Sequence, residues 1–274
     1  MRAFPFRACL WTVIGAASAA MGCADYKPGT DMPALRGRDS GPFVSENAEW
    51  SCLQKPAGPP SPIGSVGEFI VYSVQIVDLA TQGLLLDATV KACALSDVDC
   101  RNPVLSEQRP GADGWVNLPL RNNFQGFLEI ESPNEVRQLF HPPDTGLRTM
   151  RDYPIVMISQ QVFAGLVQVL RLMDDPSLGA IAVRTFDCQG ELAPDVVLKS
   201  DVAGVPYYFE GAAPSITRQQ TDSQGLGGFV GIQPGFALSE ATLLDGTEIT
   251  SQKLVVRPGA LSTGFLRPPQ ASAP

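Results

Sequence analysis

Four of the six cysteines, the single histidine and two short pairs of carboxylates are the side chains here with the most chemistry to offer. Cys52, Cys93, Cys100 and Cys188 form an even set, which in an oxidising compartment implies two disulfides with three possible connectivities. Cys93 and Cys100 lie close enough to close a small loop around residues 94–99, which leaves Cys52 to reach Cys188 across the chain. A zinc site built on the same four thiols is disfavoured, because no C-x-x-C pair is present and oxidised sulfur does not ligate the metal. No metal and no other cofactor is expected.

His141 is the single histidine and is followed by Pro142-Pro143. One histidine suffices for a Ser or Cys triad, yet no G-x-S-x-G elbow accompanies it, and the thiols that would serve a Cys enzyme are expected to be oxidised. Asp97 and Asp99 do not extend into a full D-x-D-x-D-G calcium loop and read as a solvated turn. Glu129 and Glu131 alternate on one face of a strand, which reads as an ordinary solvent face rather than a glycosidase pair. The run Gly225-Leu226-Gly227-Gly228-Phe229-Val230-Gly231 has Val230 where the third glycine of a dinucleotide loop belongs, and a strand pattern follows it. No residue is assigned a catalytic role, and the chain reads as a non-enzyme. Tyr207, Tyr208 and Phe209 are the candidate ligand-binding residues, since an exposed tyrosine pair stacks on sugar rings or peptide side chains. The alternative is that Tyr208 belongs to the core and its neighbours pack at an edge.

The elements that would carry these residues are mostly strands. Ile70, Tyr72, Val74 and Ile76 alternate with Val71, Ser73, Gln75 and Val77, which predicts a long half-buried strand ending at Asp78. Further strands are predicted at 88–95, 114–118, 126–130 and 153–158, with Asp113-Gly114 as a turn before Trp115. The same order returns about 110 residues later, in residues 181–187, 196–199 and 221–230. That recurrence predicts an internal duplication of one β-rich unit of sandwich type. Between the copies, Ser159 is a candidate N-cap for a helix that sets Val162, Phe163, Leu166, Val169, Leu170 and Met173 on one face before Asp174-Asp175-Pro176 stops it. So apolar a stripe is expected to cover a sheet or wedge the two units together.

Composition limits the partners. With 20 Lys and Arg against 28 Asp and Glu, the net charge of −8 excludes the basic stripe that nucleic acid requires. Residues 1–22 read as a secretory signal, with Arg2 and Arg7 before an apolar run from Ala8 to Ala20 that is too short to span a bilayer comfortably. Its removal takes two arginines and no acid, leaving 18 basic against 28 acidic side chains, a balance of −10. Residues 23–64 are rich in Pro, Gly, Ser and Asp and read as a tether, with Trp50-Ser51-Cys52 as its one ordered spot.

Ala20-Met21-Gly22-Cys23 resembles the lipobox of bacterial lipoproteins, and the resemblance implies acylation of Cys23 and an envelope address, with the outer membrane favoured by Ala24. Thr221-Asp222-x-x-Gly225 followed by Gly228-Phe229-Val230-Gly231-Ile232 resembles the regulatory domain of metallocarboxypeptidases, a transthyretin-like sandwich, and Asp87-Ala88-Thr89-Val90 with Asp113-Gly114 resembles it more weakly. Trp50-Ser51-Cys52, the Cys93 to Cys100 loop, Gly126-Phe127-Leu128-Glu129 and Arg257-Pro258-Gly259-Ala260-Leu261 are similar to segments in a group of Gram-negative lipoproteins.

The chain is therefore expected to be mainly β, with two tandem Ig-like or transthyretin-like sandwiches at 65–158 and 179–268, an inter-domain helix at 159–178 and a tail at 269–274. A fold of this kind does not by itself specify an activity. The expected function is a non-catalytic envelope module, structural or interacting; the alternative is a glycan- or peptide-binding module, and a hydrolase is the least favoured reading. Expected partners are the membrane, through acylated Cys23, and an envelope protein or glycan.

Overall fold

Alternation produces β1 (Phe69–Asp78): Tyr72, Val74 and Ile76 are buried and Val71 on the opposite face is 55% exposed, although Ser73 and Val77 further along that face are covered too. In this computed structural model, which describes residues 48–54, 68–121, 124–142, 154–170, 175–211 and 213–268, six more strands complete a first sandwich. They are β2 (Thr89–Ala94), β3 (Leu105–Gln108), β4 (Trp115–Arg121), β5 (Gly126–Glu131), β6 (Arg137–Phe140) and β7 (Ile155–Met157). One sheet has the order β4-β1-β7, and the strands β3-β2-β5-β6 lie across from it. Between them Val90, Val116, Leu118, Leu128, Ile130 and Met157 are fully buried. Each large aliphatic side chain so buried contributes about 1.5–3 kcal/mol.

The second half repeats the plan with β8 (Gly179–Thr185), β9 (Val197–Ser200), β10 (Val205–Glu210), β11 (Ala213–Ser215), β12 (Leu226–Ile232), β13 (Gly235–Thr242), β14 (Glu248–Val256) and β15 (Ala260–Leu266). The central pairings recur, while the edge strands differ: β3 lies beside β2, whereas β10 and β11 extend the sheet from β12. β8 has β12 antiparallel on one side and β15 parallel on the other, as β1 has β4 and β7. β13 lies between β9 and β14, as β5 lies between β2 and β6. The duplication read from residue order is thus repeated in the central strands of the sheets, and the fold is mainly β, with two sandwiches and, among the described residues, one α-helix.

The halves share a sheet. β15 pairs in parallel with β6, from Ala260 opposite Arg137 to Thr263 opposite Phe140. The order β11-β10-β12-β8-β15-β6-β5-β2-β3 is therefore one nine-stranded sheet with a layer of each sandwich at either end.

α1 (Gln160–Val169) is capped by Ser159, whose Oγ accepts the Val162 N–H at 3.3 Å. It covers the outer face of the second half's larger sheet: Leu170 is buried among Ala180, Tyr207 and Val230, with Phe163 packed alongside. The helix is shorter than the expected 159–178, and Val169 is 62% exposed rather than part of the buried stripe. At about 100° per residue, Phe163, Val167 and Leu170 align on one line, and Val169 falls well off it. Among the described residues no helix is long and apolar enough to cross a membrane.

The glycine run after the Asp222 turn serves close packing. Gly225 has a left-handed φ of 58°, where its carbonyl accepts the Thr185 N–H at 2.8 Å. Gly228, in β12, lies so close to β8 that a Cβ would stand 1.9 Å from the Ile181 carbonyl oxygen. Backbone cannot yield there as a flexible side chain would. Gly228→Ala is expected to lower stability by about 2 kcal/mol or more, read as a lower urea midpoint with an unchanged slope.

Candidate functional site

His141, Glu129 and the Cys93–Cys100 pair converge on the seam where the sandwiches join. β5 and β6 turn one face to the first core and the other toward β14 and β15, so Phe127 and Leu139 pack with Val255, Ala260 and the Cys93–Cys100 disulfide. The second disulfide joins Cys52 to Cys188, with Cα atoms 5.8 Å apart. Both pairings are those that the spacing favours. The Cys52 bridge fastens residues 48–54 to the second sandwich, where Ala48, Trp50 and Leu53 pack on the core and Glu49 N–H donates to Asp187 Oδ2 at 3.1 Å. Cys23 lies outside the described residues.

His141 lies just past the end of β6, outside any strand, and is buried at this seam. Its Nε2 accepts the Val255 N–H at 2.9 Å, and since an amide only donates, the ring proton is on Nδ1, which faces the carbonyls of Leu139 at 3.1 Å and Thr263 at 3.3 Å. The ring also stacks on Phe127, 5.5 Å between centroids. Burial holds its pKa down at about 4. A strand at the end of its sheet would otherwise present this N–H unpaired; here an imidazole takes the place of a neighbouring strand.

Glu129 is buried as well, contrary to its expected solvent face. Arg257 Nη1 donates to its Oε1 at 2.8 Å, and the guanidinium also donates to the Val98 carbonyl and lies 5.2 Å from the centre of the Phe127 ring. Glu129 Oε1 is in addition 3.7 Å from Arg137, which pairs with Glu131 at 2.7 Å. A row of alternating charge thus runs from buried Arg257 outward to Glu131. Cys93, Cys100 and Glu129 are a close group of potential ligand atoms, but both sulfurs are in the disulfide and hold no thiolate for a metal. Asp97 accepts the backbone N–H groups of Arg101 at 3.0 Å and Asn102 at 2.7 Å; those bonds, the latter foremost, lower its pKa and fix the disulfide loop as a turn.

Tyr207 and Tyr208 are both buried, which corrects their candidacy as a stacking platform. Alternation places them on opposite faces of β10, and each face is covered. Tyr207 lies under α1 and its hydroxyl donates to the Ile181 carbonyl at 3.1 Å; Phe209, half-buried on the same side, packs edge-on against it. Tyr208 points into the sandwich, where its hydroxyl accepts the Leu198 N–H at 2.9 Å. Tyr208→Phe leaves that N–H without its acceptor and is expected to cost about 1–3 kcal/mol in denaturant unfolding. Loss of the pair through Tyr207→Phe frees only a carbonyl and is expected to cost about 1 kcal/mol.

A cleft of about 700 Å³ opens beside the seam, and the sequence offered no sign of it. The first sandwich lines it with Glu131, Glu135 and Arg137, α1 with Phe163 and Val167, and the second sandwich with Val230. Clefts of this size between packed units are where ligands are commonly held.

No family model matches the chain, and no curated protein matches it. The resemblance to carboxypeptidase regulatory domains and to lipoproteins thus rests on the quoted residues alone. Among solved structures, the chain is similar to the TIE protein of Bacillus anthracis, with 12% identity and a TM-score of 0.22 over 72% of this chain and 33% of that one. It thus spans about a third of that protein's length. It is similar to a double mutant of the shaft pilin SpaA from Lactobacillus rhamnosus GG, with 8% identity and a TM-score of 0.24 over 76% of this chain and 100% of that one. For a streptococcal ancillary pilin the values are 11% and 0.23, over 72% and 68%. Likeness at this level carries no conclusion about what the chain does.

Proposed function

We propose that the chain is a non-catalytic cell-envelope module, held at the outer membrane by acyl chains on Cys23, that acts by presenting a surface to a partner. The observation that carries this reading is the use made of its reactive side chains. His141 caps a strand edge, Glu129 and Arg257 fasten the seam, and four cysteines form disulfides of the kind an oxidising compartment maintains. Each is committed to joining the sandwiches or locking a segment onto them, which suits a rigid carrier. The cleft beside the seam favours a binding role over a purely structural one.

Protease treatment of intact cells, with mass spectrometry of the released peptides and of the retained N-terminal peptide, tests this reading. Acylated Cys23 in the membrane fraction, and release of the chain into the soluble fraction by Cys23→Ala, are the expected results. An unmodified Cys23 would overturn the anchor, and turnover of generic ester, peptide or glycoside substrates by the purified chain would overturn the non-catalytic reading.

A further inference from the structure

Of the two disulfides, one is shut inside the seam and the other lies nearer to solvent. Cys93 is fully buried and Cys100 is 9% exposed, both packed with Phe127 and Leu139, whereas Cys52 and Cys188 are half-buried beside exposed Ser51 and exposed Gln189. A thiolate has to reach a sulfur to exchange with it, so the Cys52–Cys188 pair is the one open to attack in the folded chain. Its two sulfurs are also unequal. The Cys52 N–H donates to Cys188 Sγ at 3.2 Å. A donor on one sulfur stabilises the charge that develops there, which makes Cys188 the leaving group and Cys52 Sγ the atom attacked.

What the bridge holds is small. Residues 48–54 join no sheet, and their other holds on the second sandwich are the Glu49 N–H bond to Asp187 Oδ2, the Cys188 N–H bond to the Glu49 carbonyl and the packing of Ala48, Trp50 and Leu53. The turn that presents Cys188 does not depend on them. Asp187 Oδ1 accepts the N–H groups of Gln189 at 2.9 Å and Glu191 at 3.0 Å, and the Asp187 N–H donates to the Glu191 carbonyl at 2.9 Å. Cutting the bridge therefore frees the segment without dismantling the sheets, an opening of local rather than global cost. The segment also lies on the path from Cys23 to the sandwiches. While it is latched, the chain coming from Cys23 joins the second sandwich just past the end of β8; once released, it first joins the fold at Glu68, ahead of β1 in the first sandwich. Residues 48–67 are thereby added to the tether, up to about 60 Å of reach at about 3 Å per residue.

We propose that Cys52–Cys188 is a reducible latch: a dithiol protein of the envelope opens it by exchange, and opening moves the point at which the tether joins the fold from the second sandwich to the first. One thiolate of the dithiol bonds to Cys52 Sγ as the bond between Cys52 and Cys188 breaks, and Cys188 leaves as a thiolate. The second thiol of the dithiol then attacks the dithiol's own sulfur in that mixed disulfide and releases Cys52. The cysteine pair gains two electrons and two protons, and the dithiol, oxidised to its disulfide, supplies both. The tether's part in this rests on the reading of Cys23 as the anchor; the exchange itself does not.

The test is graded reduction of the purified full chain. Free thiols are first blocked with iodoacetamide; dithiothreitol is then added, the reaction is quenched with N-ethylmaleimide, and the labelled peptides are mapped by mass spectrometry. Cys52 and Cys188 are expected to be labelled at least about tenfold faster than Cys93 and Cys100. A short exposure to glutathione, quenched in the same way, is expected to leave its adduct on Cys52 and the maleimide on Cys188. Hydrogen exchange of the selectively reduced chain should show protection lost over residues 48–54 and at the Cys188 amide, and kept in β1 and β8. Cys52→Ser combined with Cys188→Ser should give the same exchange pattern without any reductant. Equal labelling rates for the two pairs, earlier reduction of Cys93 and Cys100, a glutathione adduct on Cys188, retained protection over residues 48–54, or protection lost throughout the sandwiches would each overturn the latch. Acylation of Cys23 is read separately, from the retained N-terminal peptide. An unmodified Cys23 would remove the anchor and leave every one of these outcomes as it stands, so the two failures are distinguishable.

Discussion

Replacing Cys52 and Cys188 together by alanine is expected to lower the free energy of unfolding by about 5 kcal/mol, whereas the same change at Cys93 and Cys100 removes about half as much through chain entropy. The two bridges differ in what they close. The first spans 136 positions and encloses the whole first sandwich and α1; the second spans 7. In the loop-entropy account the stabilisation grows with the logarithm of loop length, so the longer bridge restrains the unfolded chain more. The native side of the balance points the same way. Without the bridge, residues 48–54 keep the packing of Trp50 and Leu53, the Glu49–Asp187 contact and the Cys188 N–H bond to the Glu49 carbonyl at 2.9 Å. A 3₁₀ turn of four residues held by so few contacts would detach readily, exposing the apolar residues it covers. Guanidinium unfolding under non-reducing conditions measures both pairs. The opposite ranking would mean that buried packing of Cys93 at the seam, and not loop closure, dominates.

How far the fold was legible follows the range of the interactions. β1 and the repeat of its pattern at β8 are written in local alternation and in turn residues, and both were readable. β6 and β15 have no comparable trace. Their pairing joins Arg137 to Ala260 across the two halves, and a parallel partner that distant leaves no mark on either segment. The tyrosine pair shows the same limit. Period-two alternation correctly set Tyr207 and Tyr208 on opposite faces, but the cover over Tyr207 is a helix that starts at Gln160. His141, before two prolines, does lie outside the strands, but its burial and acceptor role were not legible because they are fixed by an amide 114 positions away. Glu129 read as solvent-facing for the corresponding reason, since Arg257 arrives from the other half. The disulfides were legible because cysteine number and spacing restrict the pairings without any knowledge of the sheets.

The position of His141 makes the join between the halves sensitive to acid. The buried ring is neutral, with Nε2 accepting from Val255 on β14 and Nδ1–H facing Leu139 and Thr263, so a second proton has to displace the Val255 bond and bury a charge. Its pKa is therefore about 4 in the folded chain against 6.5 for the free side chain. Between those values the unfolded chain binds a proton that the folded chain refuses. Stability must then fall as pH falls from about 6.5 to about 4, by about 3 kcal/mol in total, and this contribution levels off below. Glu135 works in the opposite direction above the ordinary carboxylate range, since its raised pKa lets the folded chain take its proton first. Asp97, Asp175 and Asp245, all held low, reinforce the loss only once their unfolded counterparts begin to protonate near pH 4. Between pH 6.5 and 5 the loss of stability on acidification is that of His141, which Glu135 opposes and the three aspartates do not yet join. Because it is the single histidine of the chain, its imidazole resonance reports the titration without ambiguity. His141→Gln keeps an acceptor for Val255 and cannot titrate. The variant is expected to be less stable at pH 8, from lost stacking on Phe127, yet to show a flatter dependence between pH 6.5 and 5, measured by urea unfolding at each pH. Parallel curves for the two proteins would refute the assignment. A flat variant curve would establish that the same imidazole that closes the edge of β14 also decides how much acid the seam between the sandwiches withstands.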